Sequence, residues 1–323
     1  MNQYDYTYAV ARIKANEQSL LGENDIEQLI TGGDYEFALK KLTESGFGEF
    51  KAGADYDDVL NKYAKNTWAF LSEIMPHEND LDFLIVKNDM HALKATLKSI
   101  ISDHDKKGCY IEPTINPIEE IINLIDERKF DELAEYMIEP AVKAYNVLTE
   151  SGNGQVADAI IDKATLDIML EMADKTKVKL CKNIAEIYVA TANIKNLYRC
   201  ILTNKSKDYM DLSVSECKTL SKETMIQSAI VGKEAFLEAL TETPYAEAKK
   251  YLETDSSAFE KWCDDLIIEQ IRHEKAENFG VGPLIAYYIA KETELKTIRI
   301  ILAAKKNDLS ADVIRKRVRL SYV

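Results

Sequence analysis

The residues able to carry chemistry are few and scattered. His77, His91, His104 and His273 stand far apart in the chain. "HEKAE" at 273–277 lacks the second histidine, one helical turn on, that would complete a zinc helix and give its glutamate a metal to work with. "DHD" at 103–105 reads as a turn. All-helical enzymes that act on diphosphates hold Mg²⁺ with aspartates at i and i+4. Here Asp57 and Asp58 are followed four residues later by Asn61 and Lys62, and Asp264 by Ile268. Asp265 and Glu269 do have the spacing, as one pair on a charged helix. "GVGP" at 280–283 lacks both the glycine spacing and the Lys-Ser/Thr of a phosphate loop, and Pro283 reads as a first helical residue. Cys109, Cys181, Cys200, Cys217 and Cys263 never form a CxxC pair, which fits unpaired thiols in a reducing compartment. No catalytic residue, cofactor or metal ion is expected.

The chemistry that is present is cationic. Lys94 with Lys98, and Lys195 with Arg199, are like charges at i and i+4. Each such pair weakens an isolated helix by about 0.2–0.5 kcal/mol, so something outside the helix should offset it. Lys296 has Glu292 four residues before it, whereas Arg299 has no acidic residue three or four positions away. These side chains could form a collar facing a partner or a central space. Alternatively they pair with carboxylates of neighbouring helices, in a chain with 55 Asp and Glu. Arg315, Lys316, Arg317 and Arg319 fall in the last predicted helix, where cations either complement the helix dipole or bind a partner.

Net charge bounds the partners. The chain carries −14, yet from Lys291 onward nine basic residues face four acidic ones, leaving about −19 on the first 290 residues. An acidic body disfavours nucleic acid, whose binding depends on clustered Lys and Arg. The first residues lack a basic segment followed by an apolar core, and no stretch holds 18 uncharged apolar residues. A soluble, cytoplasmic protein is expected.

The elements that position these cations are helices. With 12 Gly and 6 Pro in 323 residues and little strand-type alternation, most of the chain should be α. "FLIVKNDMHALKATLKSI" (83–100), "IAEIYVATANIKNLYRCI" (184–201) and "IAYYIAKETELKTIRIIL" (285–302) align without a gap at two equal offsets of 101 residues. Leu93, Ile194 and Leu295 coincide, each followed by Lys94, Lys195 or Lys296. Ile194, Leu197, Tyr198 and Ile201 mark one buried face. "DDVLNKY" (57–63) precedes "DAIIDKA" (158–164) by the same 101 residues, and "LTESGF" (42–47) echoes "LTETPY" (240–245).

Triplication of one unit follows, with segments 1–106, 107–212 and 213–323. The cuts rest on two expected capping boxes, Asn116 with Glu119 after Pro117's entry and Ser213 with Glu216. Ser310 is the expected N-cap of the last helix. Stacked helical scaffolds repeat at about 33–47 residues, far shorter than this period.

"GPLIAYYIAKETELKTIRIILAAK" (282–305) resembles the C-terminal signature of the C subunits of the A-type and bacterial V-type rotary ATPases, the family known as d in eukaryotes. "YAVARIKANEQSLLGENDIEQLI" with "ALKKLTESGF" is similar to that family's opening helices, and "NIKNLYRCIL" (193–202) to its middle repeat. The resemblance implies an all-α funnel of three similar subdomains in pseudo-threefold arrangement around a central cavity. It implies a non-catalytic rotor socket between the central-shaft subunits (D/F type) and the membrane ring of ion-carrying subunits. That role places the protein on the cytoplasmic face, peripheral to the membrane. Lys94, Lys98, Lys195, Arg199, Lys296, Arg299, Arg315 and Arg317 are the candidate partner-binding residues.

Overall fold

The computed structural model describes residues 3–50, 55–102 and 110–323. His104, the "DHD" turn, Cys109 and the cut at 106 lie outside them. Among the described residues there are sixteen α-helices and no strand. The all-α class follows from the composition, since long apolar stripes at helical spacing are interrupted only by short polar turns.

The first helices are α1 (Thr7–Glu17), α2 (Glu23–Thr31), α3 (Tyr35–Glu44) and α4 (Tyr56–Ile74). The middle of the chain forms α5 (Asp82–Ser102), α6 (Ile118–Asp126), α7 (Glu135–Ser151), α8 (Gly154–Lys175), α9 (Lys179–Leu202), α10 (Lys207–Ser213), α11 (Lys222–Val231) and α12 (Lys233–Thr241). The last four are α13 (Ala248–Thr254), α14 (Ser256–Ile271), α15 (Gly282–Lys306) and α16 (Ala311–Arg315). The three aligned repeat blocks fall inside α5, α9 and α15.

Contacts divide the chain into two units. The first unites Met1–Asp80 with Lys250–Val323, and the second is Leu81–Lys249. In the first, α15 packs against α1, α3, α4, α14 and α16. Leu295, Ile298, Ile301 and Leu302 of α15 meet Leu29, Ala38, Leu42 and Leu60 in one core. Each such Leu or Ile side chain taken out of water contributes about 1.5–3 kcal/mol. In the second, α5 packs on α6, α7 and α8, while α9 packs on α8, α10, α11 and α12. A two-residue link joins α7 to α8: Gly152 takes φ +65° to end one helix, and Asn153 accepts from Val156 N–H to cap the next.

Two of the expected caps are replaced by other contacts. The side chain of Asn116 donates to Asp89 of α5 and to Tyr136, so α6 starts after Pro117 without a side-chain cap. Ser213 closes α10 rather than opening a helix, and Ser221 caps α11 by accepting from Thr224 N–H. Ser310 does precede α16, but that helix ends at Arg315, leaving Lys316, Arg317 and Arg319 beyond it. Pro283 sits in the first turn of α15 as expected.

Asp80 closes the first stretch of the first unit. It is 4% exposed; Tyr6 Oη donates to its Oδ1 at 2.7 Å, and its Oδ2 has no hydrogen-bond partner among the described residues. Burial raises its pKa against the opposing pull of Tyr6 and His77. A carboxyl whose pKa is raised on folding binds its proton more tightly in the folded state. Its contribution is therefore complete below the unfolded pKa of about 3.9 and is lost as pH rises through the folded value. The Asp80→Asn variant should lose that slope, so its stability relative to wild type should increase as pH is raised above about 4. Urea unfolding at several pH values, read by tryptophan fluorescence, checks this; a difference that stays flat with pH would contradict it.

Candidate partner-binding surface

Five of the eight predicted cations are held by carboxylates of this chain. In the second unit Lys94 of α5 pairs with Asp162 and Lys98 with Asp158 at 2.7 Å, both from α8. The like charges on α5 are thus offset from outside their helix. In the first unit Arg299 of α15 donates from Nε to Asp57 at 2.8 Å and from a terminal nitrogen to Asn61 at 2.8 Å, both from α4. Asp57 and Asn61 precede Asp158 and Asp162 by 101 residues. The same acidic positions therefore meet the aligned helix, α5 or α15, in each unit, but Arg299 aligns with Leu97, one position short of Lys98. Asn61 carries no charge where Asp162 does, and Lys296 pairs instead with Asp264 of α14. The "DDVLNKY"/"DAIIDKA" echo is the sequence signal that could have named these acidic partners.

The remaining candidates are placed differently. Arg315 meets both oxygens of Glu27 and also Asp312, and its hydrogen bond holds the Glu27 carboxyl below the usual range. Arg317 is exposed and contributes its carbonyl to Arg319, whose buried guanidinium also reaches Asp264 at 2.7 Å. Lys195 is half-buried on α9 and has an interaction partner of its own. Arg199, one turn further on, is exposed and has no carboxylate within salt-bridge range among the described residues. It lines a cleft of about 220 Å³ formed by α8, α9 and α10, together with Asp158, Asp162, Asn196, Lys205 and Tyr209.

The other ionisable pairs are exposed or serve the core. Asp265 accepts from Lys261 and from the Leu320 backbone N–H, which accounts for the lone Asp265/Glu269 spacing. Among the described residues no three His, Cys, Asp or Glu gather as a metal site would require. No helix of the described residues is long and apolar enough to cross a membrane. What the described surface offers is paired charge along helices and a cleft lined by charges of both signs.

The profile of the ATP synthase (C/AC39) subunit family matches residues 9–317. The chain belongs to that family. Among its similar relatives is the C subunit of the V-type sodium ATPase of Enterococcus hirae, 22% identical, with 96% of this chain and 97% of the relative covered. The C subunit of the A-type ATP synthase of Methanocaldococcus jannaschii is 25% identical over 96% of this chain and 85% of its own. That of Haloferax volcanii is 23% identical, covering 95% of each chain. Similarity to the C/AC39 family thus runs through both ends and the middle, the same stretches that carry α1–α3, α9 and α15.

Exposed members of the charge pairs contribute little to the stability of this C/AC39 family member. Both partners of Lys98–Asp158 keep contact with water, at 47% and 32% side-chain exposure. The Lys98→Ala variant should lose under about 1 kcal/mol, and less at high salt. Urea unfolding of the variant followed by circular dichroism checks it; a loss of several kcal/mol would mean the pair is more than a surface contact.

Proposed function

We propose that the chain is a non-catalytic rotor subunit of a V/A-type ATPase. It acts as a socket between the central shaft and the membrane ring and couples ATP hydrolysis or synthesis to H⁺ or Na⁺ transport. Family membership over residues 9–317 carries this reading. Three copies of one helical unit, 1–106, 107–212 and 213–323, would stand in pseudo-threefold arrangement around a central cavity. Asp57 and Asp158, 101 residues apart, each pair with a cation on one of the aligned helices, and this supports the triplication. A body of packed helices resists shear, as torque transfer requires. Charged groups that remain open would orient an incoming shaft and set the speed of docking more than its tightness. The protein would lie on the cytoplasmic face, peripheral to the membrane through the complex.

Purification of the tagged chain from its own cells, under mild detergent, tests the reading. A complex with shaft subunits and a membrane ring is expected. Recovery with neither, at low and moderate salt, would overturn it.

A further inference from the structure

Of the eight cations that could meet a partner, five already spend their charge inside the fold. Lys94, Lys98, Lys296, Arg299 and Arg315 each face a carboxylate of this chain, and drawing one away would strand that carboxylate. Arg199 is different. Its guanidinium is exposed at the mouth of the α8–α9–α10 cleft and no carboxylate of the described residues pairs with it.

The rest of the cleft is chemically specific. Lys205 donates to Gln155 and lies 4.9 Å over the Tyr209 ring, so its ammonium keeps donors to spare. Asp158 uses Oδ2 for Lys98, while its Oδ1 is buried and accepts no hydrogen bond from the described residues. Two cations and two carboxylates line the cleft, so it is close to neutral in sum. A dianion such as phosphate would meet Asp158 and Asp162 as well as Arg199. A singly charged carboxylate meets less of that repulsion and satisfies the open cation.

We propose that this cleft is a docking site for one Asp or Glu of a partner polypeptide. The carboxylate is taken by the Arg199 fork with Lys205 as second cation. Arg is suited to this because its planar donors match a carboxylate two at a time, which Lys cannot do. The shaft as the source of that acidic residue rests on the function proposed above; the chemistry of the cleft does not.

The test compares wild type with Arg199→Ala, Arg199→Lys and, as control, Lys143→Ala, whose cation faces Glu139. Affinity of each full chain for the purified shaft subunits is measured at two salt concentrations, with unfolding midpoints in parallel. Arg199→Ala should bind at least about tenfold more weakly with an unchanged midpoint, Arg199→Lys should fall between, and Lys143→Ala should match wild type within about twofold. Binding by Arg199→Ala equal to wild type overturns the site and leaves the socket reading standing. A wild-type chain that binds no shaft at all overturns the socket reading and removes the shaft as occupant. In that event the cleft is judged by NMR titration with N-acetylglutamate N-methylamide as probe. A saturable shift of the Arg199 Nε–H resonance supports the site; no shift, or an equal shift with inorganic phosphate, overturns it.

Discussion

The Glu294→Leu variant will destabilise the first unit by about 3–5 kcal/mol, because it leaves a buried ammonium without its counter-charge. Lys291 and Glu294 lie one turn apart on α15, 2% and 8% exposed. Lys291 Nζ is 3.0 Å from Glu294 Oε2 and donates to Tyr63 Oη at 2.8 Å, with the Tyr63 and Tyr287 rings beneath it. Glu294 Oε1 accepts the Leu21 backbone N–H at 2.7 Å, tying the link between α1 and α2 to the helix. Burial raises the Glu294 pKa, opposed by Lys291 and by that N–H. Removing the carboxylate strands the ammonium and the Leu21 N–H together.

The companion variant separates charge from packing. Lys291→Met combined with Glu294→Leu takes both charges away and should recover most of the loss, short of about 1–3 kcal/mol for the Leu21 N–H that still lacks an acceptor. Both tryptophans, Trp68 and Trp262, belong to the first unit, so urea unfolding read by their fluorescence reports this unit. A single variant as stable as wild type would show that the pair does not hold α15 to the chain's opening segment.

How far this was legible in the sequence differs by feature. The long helices were, because apolar positions such as Ile194, Leu197 and Ile201 follow the helical period whatever packs on them. The acidic partners of Lys98 and Arg299 were half legible, since the echo around Asp57 and Asp158 was visible but its meaning needed the helix pairing. Lys291, Glu294 and Lys305 looked like ordinary charge entering an apolar run. They are buried because their partners arrive from far away in the chain: Leu21 and Tyr63 for the pair, and the Gly32 and Gly33 carbonyls for Lys305 at 3.0 and 2.9 Å. No local window contains those groups. The missed capping box has the same origin: Asn116 fits the local pattern of an N-cap, but a carboxylate 27 residues upstream takes its side chain.

That carboxylate carries the other large effect. Asp89 is fully buried on α5 and accepts from Ile115 N–H at 2.7 Å, Asn116 N–H at 3.1 Å, Asn116 Nδ2 at 2.7 Å and Tyr136 Oη at 2.7 Å. One side chain thus fixes the entry to α6 and the first turn of α7. The Asp89→Ala variant leaves two backbone donors and a hydroxyl unmade at about 1–3 kcal/mol each; allowing for relaxation among neighbours, about 4 kcal/mol should be lost from the second unit. Tyr136→Phe removes a single donor and leaves the others in place, so it should cost only about 1 kcal/mol. The two variants are compared by amide hydrogen exchange at Ile115 and Asn116 together with urea unfolding by circular dichroism. Asp89→Ala should strip protection from both amides while Tyr136→Phe largely keeps it. Equal and small losses in the two variants would mean that the segment before α6 is held by its apolar contacts, with Asp89 as an accessory. The contrast with α9 argues otherwise: there Asn193, equally buried, donates to Ser215 O at 2.8 Å and accepts from Ser215 N–H at 3.0 Å. In α5 and in α9 one buried polar side chain anchors the segment that follows the helix, a task that a neutral amide meets with two backbone hydrogen bonds and that Asp89, with four donors to satisfy, meets with a carboxylate.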